Sequence, residues 1–353
     1  MCFHATDYKH TDFTVDPHII ATETNGGLVL LRVVLADHLS PMNFPHYGEF
    51  LVYDASGPSL DHLPCPSHIL FSDESVAFVR KCTQGASHDY VLAAHSGEIG
   101  YGEPSQLFLY HSDTKTWAKK PLVVKKPSSD PGAYHSTCKA VTIGGDTGTV
   151  AWVDLWHNII VCNVLARRPR LHYLELPGQA AGEILGGDPS SIRDIAFLDG
   201  LFKFAEMQFH DQPGAYWEAK VWITKPSSSS AKDWIAKYEF KSSDISELPG
   251  LHVGPGRAHP TLSTLHTGLP NLSLQDDDIV YFLSKVYHRN NKHTAWVLPV
   301  NMKSKTVEVG EFNPMRTLGL TRGYSATRIS KYLKRLMHIF LLEARSYHHM
   351  PHP

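Results

Sequence analysis

Cysteine is scarce in this chain, and what there is of it is scattered. Five cysteines, Cys2, Cys65, Cys82, Cys138 and Cys162, are spread over 353 residues. The number is odd and no Cys-x-x-Cys occurs, which argues against a secreted disulfide framework and against a structural zinc site. A strong charge of either sign is also missing. The formal net charge is -2, so no global attraction to nucleic acid or to an anionic membrane is expected. Long apolar runs are absent: the most apolar stretch, Gly27 to Ala36, is broken by Arg32 and is too short to cross a bilayer. The N-terminus, MCFHATDYKHTDF, lacks the apolar run of a secretory signal. These absences predict a soluble chain of the cytoplasm or nucleus, with no membrane or nucleic-acid partner.

The familiar catalytic signatures are missing as well. There is no GxSxG elbow, no HExxH, no Walker loop and no GxGxxG opening a helix. The glycine-rich GGDTGT segment at Gly144 leads into a strand rather than a helix, so it lacks the N-terminus that binds phosphate and reads as a hairpin turn. Most of the 23 histidines, such as His111, His157 and His210, fall at presumed turns. The tail histidines His348, His349 and His352 have no carboxylate or cysteine beside them at ligand spacing. No metal or other cofactor is expected. The basic pairs Lys119–Lys120, Lys125–Lys126 and Arg167–Arg168 lie beside prolines and read as solvated loops.

What is present is a repeat. Lys139 to Pro177 reads as four short strands: a β-branched run to Ile143, Thr149 to Trp156, Ile159 to Leu165, and Leu171 to Leu176. Turn residues separate them, and Pro177 ends the unit. Val150, Trp152 and Trp156 alternate with Ala151, Val153 and Leu155, so both faces of the strand are apolar. A sheet with one wet face would alternate more cleanly; radially stacked blades bury both sides.

Four further sets follow the same plan: Ile19–Thr22, Leu28–Leu35, Phe50–Tyr53, Leu60–Leu63; Val76–Cys82, Tyr90–Ala94, Leu107–Tyr110, Trp117–Val123; Ile192–Leu198, Leu201–Phe209, Glu218–Thr224, Trp234–Phe240; and Leu272–Leu274, Ile279–Val286, Thr294–Val300, Thr306–Phe312. The third strands recur at roughly fifty to sixty residues, close to the kelch-like period of about 50. The predicted fold is an all-β, β-propeller-like array of four-stranded blades. Five blades are readable, and a sixth from the two chain ends is the alternative. The predicted organisation is an N-terminal extension over 1–18, the propeller-like body over 19–325, and a C-terminal helix and tail over 326–353. Lys241 to Gly268 reads as a long surface insertion.

Two groups of residues are candidates for function. Asp154 and Glu206 interrupt hydrophobic strands, and Asp146 lies in a turn. Two carboxylates in one cleft, at roughly 5 to 9.5 Å, would allow glycoside chemistry; the plainer expectation is that Asp154 and Glu206 bond to backbone or to Arg193. Trp156, Trp217, Tyr216 and Tyr101 lie near turns and are candidate binding anchors, since exposed aromatics favour interfaces. The other tryptophans, including Trp152, Trp234 and Trp296, are expected between blades.

The residues GGDTGTVAWVDLWHNIIVCNVL, RPRLHYLELP and RDIAFLDGLFKFAEM, with FLVYDASGPSLDHLPCP, LFLYHSDTKTW and TAWVLPVNMKSKTVE, resemble the plant "domain of unknown function 1618" family, numerous in grasses. The resemblance runs from about Ile19 to Tyr332, is most specific at Gly144 to Pro177, and has a core at about 138–300. Longer members of the family have an added N-terminal segment before the part matching Ile19, and the tail after Tyr332 diverges. The family implies no known activity. Its blade pattern is similar to the C-terminal regions of plant F-box proteins, but no F-box is expected before Ile19. The resulting expectation is a non-catalytic intracellular module that binds a protein partner, with a glycosidase-like hydrolase using Asp146, Asp154 and Glu206 as the alternative.

Overall fold

The computed structural model describes residues 13–23, 27–35, 48–57, 59–64, 71–80, 89–96, 105–122, 135–144, 147–178, 187–210, 216–245, 248, 251, 261–286, 295–312 and 328. Among the described residues the fold is an all-β β-propeller of five antiparallel sheets. The first sheet holds β1 (Phe13–Thr22), β2 (Leu28–Leu35), β3 (Gly48–Asp54) and β4 (Ser59–Leu63). The second holds β5 (Ala77–Arg80), β6 (Tyr90–Ser96), β7 (Gln106–His111) and β8 (Thr116–Pro121). The third holds β9 (Lys139–Gly144), β10 (Thr149–Asp154), β11 (Asn158–Asn163) and β12 (Leu171–Glu175). The fourth holds β13 (Arg193–Leu198), β14 (Leu201–His210), β15 (Tyr216–Thr224) and β16 (Ile235–Lys241). The fifth holds β17 (His266–Leu272), β18 (Ile279–Lys285), β19 (Ala295–Asn301), β20 (Thr306–Val307) and β21 (Gly310–Phe312), the last two both pairing with β19. Every sheet is a meander with no crossover.

The chain divides into two compact units. One comprises 1–154, 159–173 and 327–353, and the other comprises 155–158 and 174–326. In the first unit the opening strands β1, β5 and β9 are successive neighbours, and in the second β13 lies beside β17.

The second sheet explains why its strands are apolar throughout. Val76, Phe78, Leu92, Ala94 and Tyr110 pack against Leu28, Leu30, Phe50 and Val52 of the first sheet. The alternate residues Ala77, Val79, Val91, Ala93, Leu107 and Leu109 pack on the other side against Val150, Trp152, Ile160 and Cys162 of the third. Side chains of a strand alternate between faces, so a sheet enclosed on both sides needs apolar residues at every position. In the second unit Met207, Trp217, Ala219 and Phe240 meet Val280, Phe282, Trp296 and Leu298.

Turn chemistry fixes the registers. β13 and β14 are joined by Asp199–Gly200, both at positive φ (53° and 79°), between the paired Leu198 and Leu201. This is the two-residue turn whose twist suits antiparallel strands. Three other turns share a pattern: a hydroxyl residue, one residue in the left-handed region, and a second hydroxyl residue. Lys115, Gly148 and Lys305 have φ of 54°, 68° and 57°. The flanking hydroxyls bond across them: Thr114 to Thr116 at 2.8 Å, Thr147 to Thr149 at 2.9 Å, and Ser304 to Thr306 at 2.8 Å.

Several expectations need correction. β1 opens at Phe13, inside the segment read as an extension, and pairs with β2 through register shifts that break its alternation. β17 spans His266–Leu272 rather than Leu272–Leu274, because a register shift between Gly268 and Asn271 accommodates Pro270. Proline and glycine, read as loop markers, are tolerated there because β17 pairs on one side only among the described residues. The stretch after Lys241 is not simply a surface insertion, since Leu248, Leu251, Leu262 and Leu265 are buried in the core of the second unit. Lys120 lies on β8, not in a loop, and its ammonium donates to the carbonyls of Val164 (3.4 Å) and Ala166 (3.2 Å). The expected C-terminal helix and sixth blade fall outside the described residues.

Candidate functional site

The candidate site lies in the second unit, where the turn at 155–157 faces the start of the fourth sheet. Arg193, the first residue of β13, organises it. Its Nη1 donates to the carbonyls of Leu155 (3.0 Å) and Trp156 (3.4 Å), and its Nη2 donates to Glu206. The guanidinium carbon lies 4.8 Å from the centre of the Trp156 ring and 5.8 Å from that of Phe204. Cation–π contact is strongest where water is excluded, and Arg193 is only 4% exposed. Its Nε finds no acceptor among the described residues. Trp156 is half-buried, with His157 exposed beside it.

Glu206 is 5% exposed and sits opposite Arg193 in the β13–β14 ladder. A buried carboxylate needs a cationic partner, and Arg193 supplies it. Gly178, at φ +99°, closes the other side of the carboxylate. Asp154, at the end of β10, is also buried and accepts the Ser136 N–H at 3.0 Å. Asp154 belongs to the first unit and Glu206 to the second. Asp146 lies outside the described residues, as does Tyr101.

Period-two geometry separates Tyr216 from Trp217. Tyr216 shares a face with His210, Glu218 and Lys220, and stacks on the His210 ring at 4.7 Å with the planes 20° apart. Glu218 lies 3.3 Å from the Lys220 ammonium and 3.5 Å from the His210 ring nitrogen. Trp217 is the next residue and must face the other way. It is 2% exposed and packs on Phe240 and Phe282 at 5.5 and 5.0 Å between ring centres. Trp217 is therefore a core residue and not a surface anchor. Nearness to a turn misled because Phe240 of β16 and Phe282 of β18 cover the Trp217 ring.

Sequence reasoning missed Gly178 and the polar set of His210, Glu218 and Lys220. The missed signal was alternation: Glu206, Gln208 and His210 on β14 pair with Lys220, Glu218 and Tyr216 on β15, a polar face inside a hydrophobic sheet. Among the described residues, no three His, Cys, Asp or Glu side chains gather to hold a metal. No helix among them is long and apolar enough to cross a membrane.

A family model described as "Protein of unknown function (DUF1618)" matches residues 152–281, the part that carries the turn at 155–157, the fourth sheet and the opening of the fifth. This is narrower than the span of the resemblance read from the sequence. No curated protein matches the chain. Among solved structures, the Cps50 (Swd1) β-propeller domain of Myceliophteria thermophila is similar at a TM-score of 0.36 and 8% identity, over 86% of this chain and 89% of that one. A levansucrase variant of B. megaterium is similar at 0.32 and 10% identity, over 87% of both chains. Dipeptidyl peptidase 4 of Porphyromonas gingivalis is similar at 0.31 and 9% identity, over 82% of this chain and 38% of that one. At these values the likenesses say nothing about what the chain does.

Proposed function

We propose that this chain is a protein-interaction module, working in the cytoplasm or nucleus, that engages its partner through Trp156 and Tyr216. The observation that carries the reading is the way Arg193 holds Trp156. The guanidinium grips the backbone of the turn and lies against the indole. A partly exposed tryptophan fixed in advance loses little freedom on binding, and such aromatics are favoured anchors. Tyr216, stacked on His210, is held in a comparable way.

The alternative, a glycosidase-like hydrolase using Asp146, Asp154 and Glu206, has less support. Glu206 is already bonded to Arg193 and buried, which leaves it poorly placed to meet a substrate.

The test is proximity labelling in living cells with the full chain, compared with Trp156→Ala and Tyr216→Ala variants of equal abundance. The expected result is a reproducible set of neighbours that Trp156→Ala loses or depletes at least about tenfold, as removing a hot-spot tryptophan does. Identical neighbours for all three proteins would overturn the reading.

A further inference from the structure

In the first unit, two buried histidines meet at one threonine hydroxyl. His95, on β6, places Nε2 2.7 Å from Thr137 Oγ1. His135 places its Nε2 3.0 Å from the same oxygen. His95 and His135 are 2% and 1% exposed, whereas Thr137 is partly exposed and Ser136 beside it is exposed. Thr137 is thus the partly exposed residue of a group whose two histidines are buried.

The surroundings hold this arrangement from several sides. The His95 ring meets Trp152 edge-on, with centres 5.1 Å apart and planes at 83°. Trp152 is itself fixed, since its indole N–H donates to the Ser75 carbonyl at 2.8 Å. Ser75 Oγ, which bonds the Ser72 carbonyl at 2.8 Å, also lies 3.3 Å from the His95 carbonyl oxygen. On the threonine side, Asp154 accepts the Ser136 N–H at 3.0 Å, and Val153 O accepts the Cys138 N–H at 2.9 Å. The backbone is therefore pinned on both sides of Thr137. A hydroxyl within hydrogen-bond reach of an imidazole that other groups orient is the arrangement that activates an oxygen nucleophile.

We propose that Thr137 is an acyl-accepting nucleophile, with His95 as its general base, acting on an ester or similarly activated acyl group. A threonine hydroxyl has one proton to give and two lone pairs to receive. In the proposed roles His95 accepts that proton, and His135 donates to the oxygen. As Oγ1 bonds to the acyl carbon, its proton passes to His95 Nε2. The bond from carbon to the leaving oxygen breaks, and that oxygen takes the proton from Nε2 and departs as an alcohol. Water then attacks the acyl carbon and gives its proton to Nε2. The bond to Oγ1 breaks, Oγ1 recovers the proton, and a carboxylic acid leaves. The residues of this site and those of the interaction reading belong to different units.

The experiment is to treat the full chain with a fluorophosphonate probe and map the adduct by peptide mass spectrometry. A single adduct on Thr137 is expected. Thr137→Val should remove it, Thr137→Ser should retain it, and His95→Gln should slow its formation by about 100-fold, the usual contribution of a positioned base. No adduct on Thr137 in the unaltered chain, or adducts only elsewhere, would overturn the proposal even if a variant fails to fold. Equal rates for the unaltered chain and His95→Gln would overturn the role of His95.

Discussion

Gly178 approaches Glu206 so closely that a β-carbon at Gly178 would stand 3.0 Å from one carboxylate oxygen and 3.4 Å from the other. The glycine is also at φ +99°, a conformation that side chains rarely adopt. Gly178→Ala should therefore destabilise the protein by about 1–3 kcal/mol through backbone strain. It should also press on the Arg193–Glu206 pair. A fall in the urea midpoint with unchanged slope is the expected reading. No change would mean that the loop relocates at no cost.

Arg193 and Glu206 should depend on one another. Removing Arg193 leaves a buried carboxylate without its cation, so Arg193→Met should cost about 3–5 kcal/mol. Replacing both members, as Arg193→Met with Glu206→Leu, should recover much of that loss, because well-packed apolar groups often replace a buried pair without penalty. Equilibrium denaturation of the three variants measures the coupling, and strictly additive losses would contradict it.

Acid should loosen the fourth sheet from the β17–β18 turn. Burial pushes the Asp277 carboxyl up, but its bonds to Lys203 and Lys237 outweigh that and leave it at about 2, below the ordinary 3.8. Because the folded value is the lower one, the contribution is fully present above about pH 4 and is lost as pH falls toward about 2. Asp277→Asn should flatten the pH dependence of stability in that window. Asp73, which bonds to His18 at 3.0 Å and to Arg32 at 2.8 Å, should add a fall of the same sign. Burial raises its carboxyl, and the bonds to His18 and Arg32 more than reverse this.

Cys162 should behave as core rather than as a thiol. It is fully buried on β11, and burial pushes its thiol up to about 12, against a small opposing effect of Lys120. Iodoacetamide at pH 8 should leave Cys162 unmodified in the folded protein and modify it promptly in urea, since the thiolate is the reactive form. Peptide mapping would show which occurs.

Much of the blade plan could be read directly, because enclosure on both faces leaves an unbroken apolar signature. Third strands read near Phe50, Leu107, Ile159, Glu218 and Thr294 begin at Gly48, Gln106, Asn158, Tyr216 and Ala295. β17 was misplaced because Pro270 and Gly268 speak locally for a loop, while long-range pairing with β18 decides the outcome. The partnership of Glu206 with Arg193 was foreseeable, as a buried acid needs a nearby cation. Trp217 was not, because its burial depends on Phe282, which is distant in sequence and lies in the fifth sheet. His95 and His135 were hidden for a related reason. They are 40 residues apart in sequence, and only the fold brings them to Thr137.

Among the described residues, the edge strands β4, β8, β12 and β16 of four sheets pair on one side only. An unpaired strand edge is a template on which another molecule could add a strand. The chain places charge along these rims: Asp61 on β4, Lys119 and Lys120 on β8, Glu175 on β12, and Lys237, Glu239 and Lys241 on β16. A foreign strand would have to bury those charges to dock. The same residues that make the periphery look unremarkable thus guard the molecule against polymerising through its own margins.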